Sequence, residues 1–155
     1  MTQLTRNFSL HELTKSETAM RHDLDNTPGP VEIANLTTLA GKVLQPIRDH
    51  FAKGVHVSSG FRHPNVNAKV GSSRTSDHTK GMAADFEIPG VPNYELAEWV
   101  KDNLEFTQLI LEFYSPGIPD SGWVHVSYDP GNLKKQVMTA VKKDGKTVYL
   151  PGLVA

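Results

Sequence analysis

Two stretches of this 155-residue chain carry residues whose types and spacing could bind a metal ion. The first, Ser76-Asp77-His78-Thr79-Lys80-Gly81-Met82-Ala83-Ala84-Asp85, sets a histidine and a carboxylate seven positions apart. The glycine and alanines between them let backbone pass close to an ion without steric interference. The second, Gly122-Trp123-Val124-His125-Val126-Ser127-Tyr128, alternates His125 with Val124 and Val126, which turns the imidazole to the face opposite the valines. Two imidazoles and one carboxylate leave a fourth position open, the arrangement of a catalytic zinc site rather than a closed structural one. The chain has no cysteine, so any metal site must use His, Asp or Glu. Spacing alone leaves the alternative that His78, Asp85 and His125 are ordinary polar residues of strands and loops.

These residues need elements to hold them. Met82 to Ile88 reads as a strand with Ala83, Asp85 and Glu87 on one face and the apolar Met82, Ala84, Phe86 and Ile88 on the other, so the second face is core and the first borders a cleft. Further strands are expected over Val55 to Ser59, Thr107 to Phe113 and Trp123 to Tyr128. Gln136 to Val141 and Lys146 to Leu150 flank Lys142-Lys143-Asp144-Gly145, a hairpin signal. Ser9 with Glu12 three residues later is a capping box that starts a helix, and Thr27-Pro28-Gly29-Pro30 breaks the chain. Leu36, Leu39, Ala40, Val43, Leu44, Ile47 and Phe51 recur at helical spacing, giving a helix over about Val31 to Lys53, kinked at Pro46 and ended by Gly54. A short helix follows Pro64 and a longer one begins near Asn93. Helices come early and strands mostly late, so the class is α+β, an antiparallel sheet with N-terminal helices packed on it and the metal site in a cleft on the sheet.

Length suits a single domain over residues 1–155. A formal charge of −1 offers no field to draw nucleic acid or an anionic membrane. No segment approaches the ~20 apolar residues of a membrane span, and Met1 to Leu10 lacks an apolar run of signal-peptide length. We expect a monomer, cytoplasmic on synthesis, that something else must deliver if it acts outside the cell.

The first stretch matches the motif S-x-H-x-x-G-x-A-x-D and so resembles the D-alanyl-D-alanine carboxypeptidase family of zinc peptidases, which includes phage L-alanyl-D-glutamate endolysins and vancomycin-resistance dipeptidases. His125 in Trp-Val-His-Val-Ser matches the family's third ligand. Ser58-Ser59-Gly60-Phe61-Arg62 resembles its S-G-[YF]-R segment, and Asn67 to Gly71 the N-x-x-x-G that follows. Phe8-Ser9-Leu10-His11-Glu12-Leu13 resembles the start of compact phage and bacterial members. The resemblance runs from about Phe8 to Tyr128 and leaves the hairpin segment 129–155 outside it.

The resemblance implies Zn2+ held by His78, Asp85 and His125, a carboxylate as proton carrier, Arg62 as stabiliser of the developing oxyanion, and peptidoglycan stem peptides as substrate. It also implies the fold of hedgehog signalling domains. The family usually places its carboxylate three residues before the third ligand, where this chain has Gly122. Glu112 and Asp120 are the candidates, and Glu112 is preferred because strand alternation turns it toward the cleft. Ser76 and Trp123 are candidate substrate contacts or shapers of the loop. Arg74, Lys80 and Lys69 are the cations available to a terminal carboxylate. The function implied is an L-Ala–D-Glu endopeptidase of phage lysis. A D-Ala–D-Ala carboxypeptidase, a non-catalytic zinc-binding module and a virion tail component are the alternatives.

Overall fold

The computed structural model describes residues 2–72 and 76–155. A short ribbon, β1 (Gln3–Thr5) with β2 (Phe8–Ser9), leads into α1 (Leu10–Thr14) and α2 (Glu17–Arg21). The capping box is present: the Ser9 side chain accepts from the Glu12 N–H, and Glu12 reaches back to the Ser9 N–H.

The long helix read from the sequence is two helices joined by a π-helical turn. α3 (Pro30–Leu39) runs into Ala40–Leu44, and α4 (Gln45–Phe51) follows. Pro46 has no N–H for a helical bond and its ring clashes with the preceding turn. The wider turn takes up this break: the Gln45 N–H donates to Ala40 O, five residues back. Ala52, in the left-handed conformation at φ 54°, ends α4 two residues before Gly54.

β3 (His56–Ser59), α5 (Pro64–Lys69), a 3-10 turn (Asp77–Lys80), β4 (Ala83–Glu87), α6 (Asn93–Asn103), β5 (Gln108–Glu112), β6 (Trp123–Ser127), β7 (Gln136–Lys143) and β8 (Lys146–Pro151) complete the chain. Six strands form one sheet in the order β3-β4-β6-β5-β7-β8. Every neighbouring pair is antiparallel except β5 with β7, which is parallel, so the α+β sheet is antiparallel with one parallel seam. The C-terminal hairpin, β7–β8, continues the sheet beyond β5.

One face of the sheet is the core. Ala84, Phe86, Leu109, Leu111, Val124 and Val126 are fully buried there with Leu36, Leu39, Val43, Leu44 and Ile47 from the helical layer and Leu96, Ala97 and Val100 from α6. The alternation in β4 holds: Ala84 and Phe86 face this core, and Asp85 lies on the other side. No helix among the described residues is long and apolar enough to cross a membrane.

Candidate active site

Strand register assembles the polar face. Asp85 of β4 pairs with His125 of β6, and His125 pairs with Ile110 of β5. One step further along, Trp123 pairs with Glu112. Directly paired residues point the same way, so Asp85, His125, Trp123 and Glu112 emerge on one face. His78 arrives from the 3-10 turn, whose N-cap Ser76 accepts the His78 N–H at 3.3 Å.

His78, Asp85 and His125 offer ligand atoms that all lie within 4.8 Å of one another. Asp85 bridges the pair. Its Oδ1 lies 2.9 Å from His125 Nδ1 and its Oδ2 3.4 Å from His78 Nε2. The other nitrogen of His78, Nδ1, is 2.8 Å from Gly60 O, a backbone contact that fixes the ring and leaves Nε2 for the cluster. Gly60 cannot carry a side chain, because an added Cβ would lie 2.4 Å from Leu13 O. The same segment orders Arg62, whose N–H donates to His78 O, while Phe61 N–H donates to Leu13 O.

The electrostatics follow from burial and contact. Burial alone would raise the Asp85 carboxyl, but hydrogen bonds to His125 and His78 outweigh it and hold the group well below the usual carboxylate range. Burial opposes charging of His125, and the bond to Asp85 reverses that and raises it. Such a histidine–carboxylate–histidine set, held together only by shared protons, fits a divalent cation that would take their place. Glu112 is raised, by burial first and by the negative charge of Asp85 second. Burial lowers Arg62, opposed by Asp85 and Glu112. Its Nε is buried with no hydrogen-bond partner.

A cleft of about 590 Å³ holds all of these groups: Arg62, Ser76, His78, Asp85, Glu112, Trp123 and His125 line it. A second cleft of about 440 Å³ lies on the far side of Arg62, Val70 and Asp85, which line both; its other wall is Lys15 to Thr18 and Arg21 against β3. Trp123 Nε1–H donates to Glu112 Oε2 at 2.7 Å, and both residues line the cleft.

The chain therefore offers a histidine–aspartate–histidine centre beside a carboxylate and an unpartnered guanidinium nitrogen. The Peptidase M15 family model matches residues 6–127. The chain belongs to this family of peptidases. No curated protein matches the chain in a sequence search. The M15 match covers the helical layer and β3 to β6 and ends before the hairpin.

Of the residues singled out in the sequence, Asp120 is not brought in: it is exposed in the loop between β5 and β6 and does not line the cleft. Lys80 pairs with Asp77 at 3.7 Å, and neither it nor Lys69 lines the cleft. Arg74 lies outside the described residues. His63 caps α5, its Nδ1 accepting the Asn65 N–H.

Gly122, where the family pattern has a carboxylate, sits at φ 66°, and an added Cβ would lie 1.9 Å from Glu112 O. Backbone of β5 fills the space a side chain would need. Tyr149 was missed: it lines the cleft from β8, and nothing in local spacing ties residue 149 to residue 112.

Proposed function

We propose that this M15 peptidase is a zinc-dependent hydrolase of peptidoglycan stem peptides. The observation that carries the reading is the convergence of His78, Asp85 and His125 on one cleft with Glu112 and Arg62. His78 through Nε2, Asp85 through a carboxylate oxygen and His125 through Nδ1 would hold the ion. Zinc bound there would supply Lewis acidity toward water and the scissile carbonyl.

The remaining steps belong to the chain. Glu112 takes a proton from the attacking water on Oε1 and delivers it to the leaving amine. Its raised affinity for a proton suits a group that must both accept and release one, and the Trp123 bond fixes the other oxygen. Arg62 faces the charge that develops on the carbonyl oxygen. Ser76 holds the turn that presents His78, and Trp123 orients Glu112 while lining the cleft.

An endopeptidase cut within the stem, at the L-Ala–D-Glu bond, is the finer reading. A carboxypeptidase needs a cation dedicated to a free carboxylate. Among the described residues Arg62 is the cation lining the metal cleft, and it is already committed to the carbonyl. In this reading the protein is a phage lysis enzyme whose wall substrate is reached after release or delivery. Digestion of purified peptidoglycan followed by mass spectrometry of the fragments tests it. Stem peptides released after L-Ala are expected. Loss of a single terminal D-Ala would make the protein a carboxypeptidase, and intact wall in the presence of zinc would favour a binding module.

A further inference from the structure

The C-terminal hairpin lies beyond the M15 match, yet it reaches the active-site cleft. The register runs without interruption from the catalytic carboxylate to the sheet edge. Glu112 pairs with Ala140, and Ala140 pairs with Tyr149. On the other side Glu112 pairs with Trp123. One row across four strands therefore reads Trp123, Glu112, Ala140, Tyr149, all directed to the cleft face. Ala140 is small and fully buried, and Glu112 and Tyr149 on either side of it both line the cleft.

Tyr149 is 51% exposed and Val70 43%, and both line the cleft. They belong to a short set of exposed large apolar side chains among the described residues, the others being Met20, Val31, Ile118 and Val154. Exposed apolar surface gathered at a cleft marks a binding face. Tyr149 sits on the sheet's edge strand, outside the core cluster.

We infer that Tyr149 is a specificity-determining residue that packs its ring against an aliphatic residue and peptide plane of the substrate, on the Glu112 side of the scissile bond. The inference rests on the peptidase reading above. Two strand spacings of ~4.8 Å separate β5 from β8, about 10 Å. An extended peptide advances ~3.4 Å per residue, so the contact falls within about three residues of the bond cut. The enzyme must then need a substrate that extends that far, and a shorter one forfeits the contact.

The test compares wild type, Tyr149→Ala and Tyr149→Phe on a complete stem peptide and on a series trimmed from either end, with thermal unfolding and zinc content measured for each protein. Expected for Tyr149→Ala is a KM raised about ten-fold on the complete stem, as for loss of one aromatic contact, with kcat within about two-fold. That penalty disappears on substrates trimmed from one end only. Tyr149→Phe keeps KM within about three-fold. Equal KM for wild type and Tyr149→Ala on the complete stem, or a penalty that ignores substrate length, overturns the inference while leaving the peptidase reading intact. If wild type cleaves nothing, the peptidase reading falls instead. Calorimetric binding of the same stem peptide then decides Tyr149: weaker binding by Tyr149→Ala supports its contact, and unchanged or absent binding overturns it.

Discussion

At the scale of single residues, the proposed metal centre and the proposed proton carrier can be separated by substitution. Asp85 bridges both histidines, so Asp85→Ala is expected to reduce zinc from about one ion per chain to a trace, measured by elemental analysis after dialysis. Glu112→Gln keeps the proposed ligands and removes the proposed base. Zinc content should be unchanged and kcat lowered about 10²- to 10⁴-fold, whereas Asp120→Asn, out in the loop, should stay within about two-fold. Protons and metal compete for the same atoms. Without metal, the depressed Asp85 contributes stability that is complete above its unfolded value of ~3.9 and is lost as pH falls through the folded one. The raised His125 contributes fully below ~6.5 and loses that as pH rises through its folded value. Glu112, also raised, withdraws stability as pH climbs past its unfolded value of ~4.5. Metal-free protein should therefore resist urea best in mild acid and weaken toward neutrality. Zinc-loaded protein should do the reverse over that interval, because its ligands must be deprotonated.

At the scale of elements, positions with no chemistry of their own decide whether the site exists. Gly60 lets β3 lead into the Arg62 segment and points its carbonyl at His78 Nδ1. Gly60→Ala should push that carbonyl off and weaken zinc binding about 10- to 100-fold in a competition titration. Gly122→Ala meets both a positive φ and the Glu112 backbone; a loss of about 3 kcal/mol in chemical denaturation is expected. The sequence made much of this level readable. Period-two alternation in β4 and β6 identified which face Asp85 and His125 occupy, and the Ser9–Glu12 pair located the first helix, because these signals lie within a few residues. The π-helical turn at Ala40–Leu44 was not readable, since it depends on how the helical layer absorbs Pro46 while keeping Val43, Leu44 and Ile47 in the core. Nor was the Gly60 carbonyl, because backbone atoms leave no mark in residue type.

At the scale of the whole molecule, the active face is a product of sheet order. β4, β6 and β5 are neighbours though α6 and long loops separate them in sequence, and the hairpin joins through a parallel seam with β5. That seam is a non-local pairing, which explains why local patterns found the hairpin but not its place beside Glu112. The core beneath must hold the rows in register: Phe86, fully buried behind Asp85, should cost about 3–5 kcal/mol on change to Ala. A bound ion adds stability by mass action. At a free zinc concentration of ~100 times Kd the gain is about 2.7 kcal/mol, so a chelator should lower Tm and zinc should restore it. The most direct test of the account is a zinc titration of metal-stripped protein, followed by cleavage of wall stem peptides. The account predicts no cleavage without metal and activity that rises to a plateau at about one zinc per chain. Full activity in the stripped protein, or a plateau of bound zinc with the stem peptides intact, would contradict it.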